Sequence, residues 1–475
     1  MSIRFTFLLF SFVSLTAFGQ EKWDLQKAVA FAMANNITVK QAINQAQISQ
    51  LTYNQAKLTT LPTLGGSLNG GYQHGLNENP TTGTLESASF LSGSIGAQSQ
   101  YTIFNWGARK YNIGAAQLYV EADKAGVDKA QNDIALLVAN AFLQVMLRME
   151  QVRISESAIQ LSQAQLSNTR KLVDAGRLPE LNALQQEGQL VKDSSALLQS
   201  QSLVQESLIT LKAYMNIDIA APFAIDAPNV SSIPVDNLLD LQPADVYALA
   251  LNNQPSIKRL NLQTEAAKKQ VSAARANMYP TLSAFGALNS RFINSKFPLL
   301  VGIQTSQPTG AFIVDGGGNK VSVLADRPLY GRRSVALFRQ LNNNFGQNLG
   351  LNLQFPIFNA GQTKTQWKKA QINVLQSDLQ NEQEKINLKN NIFTAYQQAF
   401  SSYQKYRAST RTVEVSQRAL DISKKRYDIG LLGTLDYIIT QNNLTNAQIE
   451  AVSNQYDFVF KMKVLEFYKG NGIRL

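Results

Sequence analysis

Cysteine is absent from all 475 residues, and histidine occurs once, as His74. The first absence excludes disulfides, thiolate metal sites, a cysteine nucleophile and a lipid-anchored N-terminal cysteine. The second makes a Ser-His-Asp triad depend wholly on His74 and removes His-rich metal sites. Charge is sparse, at 16% of residues, with a net balance of +11. No long basic run gathers that excess, so nucleic-acid binding is not expected. Long uncharged apolar runs are also missing past the N-terminus, which leaves no candidate transmembrane helix in the mature chain. If the mature protein sits in a membrane, it does so as strands.

The N-terminus reads as a secretory signal over residues 1–19. Arg4 supplies the positive region, Phe5 to Leu15 is largely apolar, and Ala17-Phe18-Gly19 offers a small-x-small cleavage site. The rest of the chain is a duplication. Asn35-Asn36 recurs as Asn252-Asn253, and Pro62-Thr63-Leu64 recurs as Pro280-Thr281-Leu282. Ile103-Phe104-Asn105 with Gly107 recurs as Ile357-Phe358-Asn359 with Gly361, at an offset that then holds through Gly176 and Gly430 to Tyr214 and Tyr468. Residues 20–216 and 244–475 are therefore expected to be two copies of one unit. The segment 217–243, with Pro222, Pro228 and Pro234, reads as a linker or irregular structure. The second copy carries an insertion between Leu282 and Ile357, expected as a surface loop over about 291–344. The shorter counterpart near residues 73–92 is also expected as loop, with His74 an ordinary member of it.

Each copy reads helix, strand, loop, strand, long helix, turn, helix. Ile134, Val138, Ala141, Val145, Met149 and Val152 form one apolar stripe at helical period. Leu190, Leu197, Val204 and Leu211 follow at heptad spacing, a coiled-coil seam. No proline interrupts Gly107 to Ala175, enough for a helix of roughly 100 Å. Leu349, Leu351, Leu353 and Phe355 alternate with Asn348, Gly350, Asn352 and Gln354, the pattern of a strand with one apolar and one polar face. Four such strands per chain fall short of the roughly eight that close the smallest membrane barrels. Either the sheet lies outside a membrane, or several chains share one barrel. A cytoskeletal-type coiled coil is the plainer reading of the helices, and the strands argue against it.

The phrases Trp23-Asp24-Leu25 through Ala34-Asn35-Asn36, Pro62-Thr63-Leu64, Phe355-Pro356-Ile357-Phe358-Asn359-Ala360-Gly361 and Tyr427-Asp428-Ile429-Gly430 through Thr434-Leu435-Asp436 resemble the TolC-type outer-membrane efflux proteins. The resemblance covers essentially the whole mature chain. It implies an α+β membrane protein in which a homotrimer shares a 12-stranded transmembrane β-barrel and a long periplasmic α-helical barrel. It also implies outer-membrane lipid contact, an extracellular position for the long loop over about 291–344, and a periplasmic adaptor and an inner-membrane pump as partners. The first copy departs from the family pattern by placing Thr102 where the second has Pro356, which is expected to alter a bend between strand and helix.

The same resemblance supplies site residues. Asp436 and Tyr427 match family positions at the constricted periplasmic entrance. Gly176, Leu178, Gly430 and Leu432 sit at the two helix–turn–helix tips, where the family meets its adaptor. Glycine suits the left-handed cap of a helix in its own right, and an Asp in a first helical turn is stabilised by the dipole whatever else it does. Ile439 stands where the family's best-studied pattern has a second Asp, and Leu432 replaces a basic residue. The resulting expectation is a passive trans-periplasmic conduit of a tripartite efflux or type I secretion system, without catalytic residues, metal or cofactor. Two alternatives stand beside it: a periplasmic coiled-coil structural or adhesive protein with a soluble sheet, and an enzyme such as a polysaccharide lyase. Outer-membrane fractionation separates the first of these from a conduit, and a hydrolytic activity lost with His74 would favour the second.

Overall fold

The computed structural model describes residues 22–78, 85–228, 230–294 and 296–470, so the signal-like segment lies outside it. Its elements run α1 (Leu25–Asn35), α2 (Ile37–Leu58), β1 (Thr63–Glu78), β2 (Leu85–Phe104), α3 (Ala108–Asp174) and α4 (Glu180–Met215). After short turns come α5 (Pro243–Asn253), α6 (Pro255–Ala276), β3 (Thr281–Ile293), β4 (Lys296–Val314), β5 (Lys320–Ser334), α7 (Leu337–Asn343), β6 (Gly346–Gln354), α8 (Gln362–Asp428) and α9 (Thr434–Lys469). The duplication is reproduced helix for helix outside the insertion. α1 and α5 have 11 residues each, α2 and α6 have 22, α3 and α8 have 67, and α4 and α9 have 36. A helix of 67 residues is about 100 Å long.

The chain divides into two compact units. One comprises the described parts of Met1–Thr52, Ala115–Ala267 and Ile372–Leu475. It is helical, and its main core gathers Leu25, Ala28 and Ala32 of α1 with Ile134, Val138, Phe142, Val145 and Met146 of α3, Leu211 and Met215 of α4, and Val459 of α9. Ile134, Val138, Ala141 and Val145 of the expected stripe are buried, but Met149 is exposed and Val152 half-buried, and Phe142 and Met146 beside the stripe complete the core instead. Fully burying a Val, Leu, Ile, Phe or Met side chain is worth about 1.5–3 kcal/mol. A window of α3 reaches the hydropathy of a membrane helix, but 56% of it is buried. A second cluster joins Val246 and Ala250 of α5 to Leu388, Ile392 and Ala399 of α8 and to Met462 and Leu465 of α9. The segment 217–243 is irregular but not a free linker. Ile225, Val230, Ile233 and Leu241 are buried, and Ile225 bridges to Trp23.

The other unit, the described parts of Tyr53–Gly114 with Lys268–Gln371, holds the six strands found among the described residues. Four make an antiparallel sheet in the order β1-β2-β3-β6. Pairing of β1 with β2 runs from Thr63↔Gln100 to Glu78↔Leu85. The described parts of 73–92 are therefore strand, against the loop expected there, and His74 pairs with Ser89 inside it. Gly, Ser and Asn obscured the strand in the sequence, because small and polar residues disguise period-two alternation. The insertion is likewise not plain loop: β4 and β5 form their own two-stranded sheet, followed by α7. Proline explains the difference at Thr102 and Pro356. β2 continues to Phe104, whereas β6 stops at Gln354, just before a residue that cannot donate to a ladder.

Candidate functional site: an apolar strand face and two helical tips

The register of the four-stranded sheet aligns its side chains into two unlike faces. Leu68 lies opposite Ile95 and Tyr72 opposite Leu91, while Ala97 lies opposite Leu288 and Ala284 opposite Leu351. With Leu64, Leu349 and Leu353 in the same rows, one face is apolar across every strand. It is not covered: Leu64 is 81% exposed and Leu349 is 91% exposed. The reverse face carries Ser67, Asn69, Gln98, Gln100, Asn289, Asn348 and Asn352. An apolar face this continuous is far larger than a soluble sheet leaves bare. Two glycines let large rings lie flat across the strands. A Cβ on Gly93 would meet the Phe292 ring at 2.3 Å, and one on Gly350 would meet Phe285 at 2.7 Å.

One end of this sheet is ringed with aromatics. The Trp106 ring centroid lies 5.3 Å from Phe104 and 5.0 Å from Tyr279, tilted against both, and its indole N–H donates to the Pro280 carbonyl at 2.8 Å. Phe358 and Ile357 are exposed nearby in sequence on the other repeat. Amphipathic rings of this kind suit a membrane–water boundary. At that end each copy turns from strand to long helix through two successive positive-φ residues, Trp106-Gly107 and Ala360-Gly361.

The helical unit ends in two tips of the same construction. At the end of α3, Gly176 has φ +70°, its N–H bonds to Val173 O, and the Arg177 N–H bonds to Leu172 O. At the end of α8, Gly430 has φ +78°, bonds to Tyr427 O, and the Leu431 N–H bonds to Arg426 O. Both are paired 6→1 and 5→2 closures that only a left-handed residue completes without strain. Leu178 and Leu432 are half-buried, packed on a small cluster of Leu420, Tyr427, Tyr437 and Leu444. The apolar residues that the tips expose are others: Ile429, Leu431, and the repeat-related pair Leu181 and Leu435.

Tyr427 is buried at 2% exposure, and its hydroxyl bonds to Thr169 of the first tip's helix at 3.0 Å and to Thr434 at 3.2 Å. Its ring stacks on Tyr437 at 5.1 Å. Burial, then the charge of Asp428 and the neighbouring Tyr427, push the Tyr437 hydroxyl up to about 12. That hydroxyl has no hydrogen-bond partner among the described residues. Asp436 lies one residue away in the first turn of α9 and is exposed.

Further along, the two hairpins meet through polar side chains. Gln441 donates to Ser162 at 2.8 Å, and Ser162 donates to the Asp193 carboxylate. Gln189 and Asn442 exchange amide hydrogen bonds at 2.9 and 3.2 Å. Burial raises the Asp193 carboxyl above its ordinary value despite the bonds from Ser162 and Gln189. Gln186 is fully buried with neither side-chain atom partnered among the described residues. No group of three or more His, Cys, Asp or Glu suited to a metal occurs among the described residues.

A family model for outer membrane efflux proteins matches residues 29–216 and 326–466, more than half of the chain. The chain belongs to the outer membrane efflux protein family. Among relatives of the family it is 26% identical to the pyoverdine export outer membrane protein OpmQ of Pseudomonas aeruginosa, over 74% of this chain and 64% of that protein. It is 23% identical to the probable efflux pump outer membrane protein TtgC of Pseudomonas putida, over 54% of this chain and 52% of the relative. The matched stretch thus spans about half to two thirds of these relatives. Solved structures share the fold. CusC superposes with a TM-score of 0.75 at 18% identity, covering 95% of this chain and 93% of CusC. The outer membrane protein VceC of Vibrio cholerae gives 0.71 at 17% identity, covering 95% and 97%. The long-helix and sheet architecture is therefore that of outer-membrane efflux channels, with the two repeats accounting for its internal symmetry.

Proposed function

We propose that this protein is the outer-membrane conduit of a tripartite export system, working as a homotrimer with a periplasmic adaptor and an inner-membrane pump. The observation that carries the reading is the four-stranded sheet with one largely apolar exposed face and two open edges. Backbone groups left unpaired in lipid cost several kcal/mol each. The edges of β1 and β6 have no partner strand among the described residues. A closed barrel needs about eight strands or more, so further copies must supply them, and three sets of four give twelve. The helices support the same conclusion. α8 exposes Ile372, Leu379, Ile386, Phe393 and Phe400 at strict seven-residue spacing, and α4 exposes Leu184, Val191 and Leu198 likewise. Such seams are built for partner helices.

In this reading the chain does no chemistry of its own, and energy comes from the pump. The cargo is small molecules or proteins. Relatives named for pyoverdine export and antibiotic efflux favour small molecules. The tips closed by Gly176 and Gly430, with Leu178 and Leu432 at their flanks and Leu181 and Leu435 projecting, meet the adaptor. Asp436 of three copies places three carboxylates around one axis at the periplasmic entrance, an arrangement that favours cations. Tyr427 ties one hairpin to the other beside that ring.

Asp436→Asn tests the entrance. In planar bilayers the variant channel is expected to lose cation selectivity while its trimers survive detergent extraction. Unaltered selectivity in intact trimers would remove Asp436 from the constriction.

A further inference from the structure

The β4–β5 hairpin sits in the insertion that the first repeat lacks, and it has no counterpart in the duplication. It is long, with strands of 19 and 15 residues, and stands as a separate two-stranded sheet. Its register places Phe312 opposite Ser322, Ile303 opposite Pro328 and Leu300 opposite Tyr330, so one face carries Leu300, Ile303, Phe312, Leu324 and Tyr330. Ile313 lies opposite Val321 and Gly302 opposite Leu329, so the other face is apolar too. These side chains are exposed on both sides of the ribbon. An isolated hairpin is at best marginally stable in water, so this one is built to be covered.

Its edges are poorly suited to strand addition. Pro308 and Pro328 remove a donor from each strand, and bulges interrupt the ladder between Leu300 and Gly302, Gln304 and Gln307, and Pro308 and Phe312. The faces are what remain on offer. The ribbon is also mounted firmly. Gln340 of α7 is buried, accepts from the Ile293 N–H at 3.0 Å, and donates to the Ile293 and Val335 carbonyls at 3.0 and 2.8 Å. One side chain thus clasps the chain just before β4 and just after β5. Ser290 holds α7 through Leu341 O at 2.6 Å, and Asn344 donates to Arg291 O at 2.8 Å. A clasp of this kind sets a direction for the ribbon.

We propose that the β4–β5 hairpin is an inter-subunit docking element whose occupant is the same hairpin of a second copy of this chain. This rests on the trimer reading. Two observations single out that occupant. The hairpin leads through α7 directly into β6, which is an open edge of the sheet and so the boundary with a neighbour. A cyclic ring also joins its members head to tail, each copy offering one patch to one neighbour and a different patch to the other. A ribbon with two unlike apolar faces offers two such patches. Three hairpins packed face to face then form a collar on the end of the sheet opposite Trp106 and Tyr279.

The cysteine-free sequence makes the test clean. Phe312→Cys with Val321→Cys places one thiol on each face, where they cannot join within a chain. Oxidation of the full-length protein in outer membranes is expected to give covalent trimers on non-reducing gels, and neither single variant should pass the dimer. The register pair Ile313→Cys with Val321→Cys should close within one chain, which reports that the ribbon itself has formed. Native trimers without cross-links, while that internal disulfide forms, would overturn the proposal and assign the faces to lipid or another protein. Monomers on a native gel would overturn it together with the trimer reading, and so distinguish the two failures.

Discussion

The two ends of the helical unit use the same long helices but different materials. Around Phe142, α3, α4 and α9 meet through Val138, Val145, Met146, Leu211 and Met215 with hardly a polar atom between them. Around Tyr427 and Gln441 they meet through Ser162, Gln165, Thr169, Gln186 and Gln189, all buried, and the apolar cluster shrinks to Leu420, Tyr427, Tyr437 and Leu444. Apolar packing is close and non-directional, and opening it costs the whole transfer energy of the buried side chains. A polar layer is held by a few directional bonds, each worth about 0.5–1.5 kcal/mol net. Its unpartnered amides also gain partners if water enters. The first region is an anchor, whereas the second is where the hairpins part at least cost.

Four substitutions sharpen that contrast. Phe142→Ala strikes the anchor and should cost about 3–5 kcal/mol, read as a large fall in thermal stability of the extracted protein. Tyr427→Phe removes the bonds to Thr169 and Thr434 and should cost about 1–2 kcal/mol. Its hydrogen exchange should quicken at residues 160–195 and 420–445 and stay unchanged around Phe142. Equal quickening at both ends would erase the distinction. Gly430→Ala forces a Cβ into a left-handed position, for about 1 kcal/mol, with the loss confined to the second tip. Gly176→Ala should do the same at the first.

The smallest effect concerns Tyr437, whose hydroxyl bonds to nothing among the described residues, so Tyr437→Phe should leave neutral stability nearly untouched. Its signature is alkaline. The folded hydroxyl is held up to about 12 against an ordinary value of 10.0, so its contribution is complete below pH 10 and is lost as pH rises towards 12. Tyr456, near the anchor, is pushed to about 12 by burial as well. Each Tyr→Phe change should therefore flatten the alkaline fall measured by pH-dependent unfolding, and an unchanged slope in both would show that these rings are solvated.

Much of this architecture was legible in the residues. The doubled phrases gave two repeats, and the structure returns them with equal helix lengths. Leu349, Leu351 and Leu353 showed their alternation because each large residue falls on the exposed apolar face of the sheet. The strand ends at 73–78 and 85–92 were not legible, since Gly, Ser and Asn carry no period even though their register is regular. The β4–β5 ribbon escaped for a related reason: bulges break its alternation, and apolar residues on both faces leave no contrast. On α4 the heptad through Leu190, Leu197 and Val204 was read, and it is the half-buried seam. Leu184, Val191 and Leu198 run one position apart from it as a second, exposed seam. One helix serving two partners looks in sequence like one broad stripe. At the tips, Tyr437 went unremarked beside Asp436, because nothing local tells a buried tyrosine from an exposed one.

The proposed trimer rests on the open edges of the four-stranded sheet and on the exposed helix seams. The most direct test is the native mass of protein extracted from outer membranes in mild detergent, by blue-native electrophoresis with mass determination. A mass three times that of the mature chain is the expected result. A stable, folded monomer would contradict it, because four strands and two bare heptad seams would then have to persist in lipid and water with nothing to cover them.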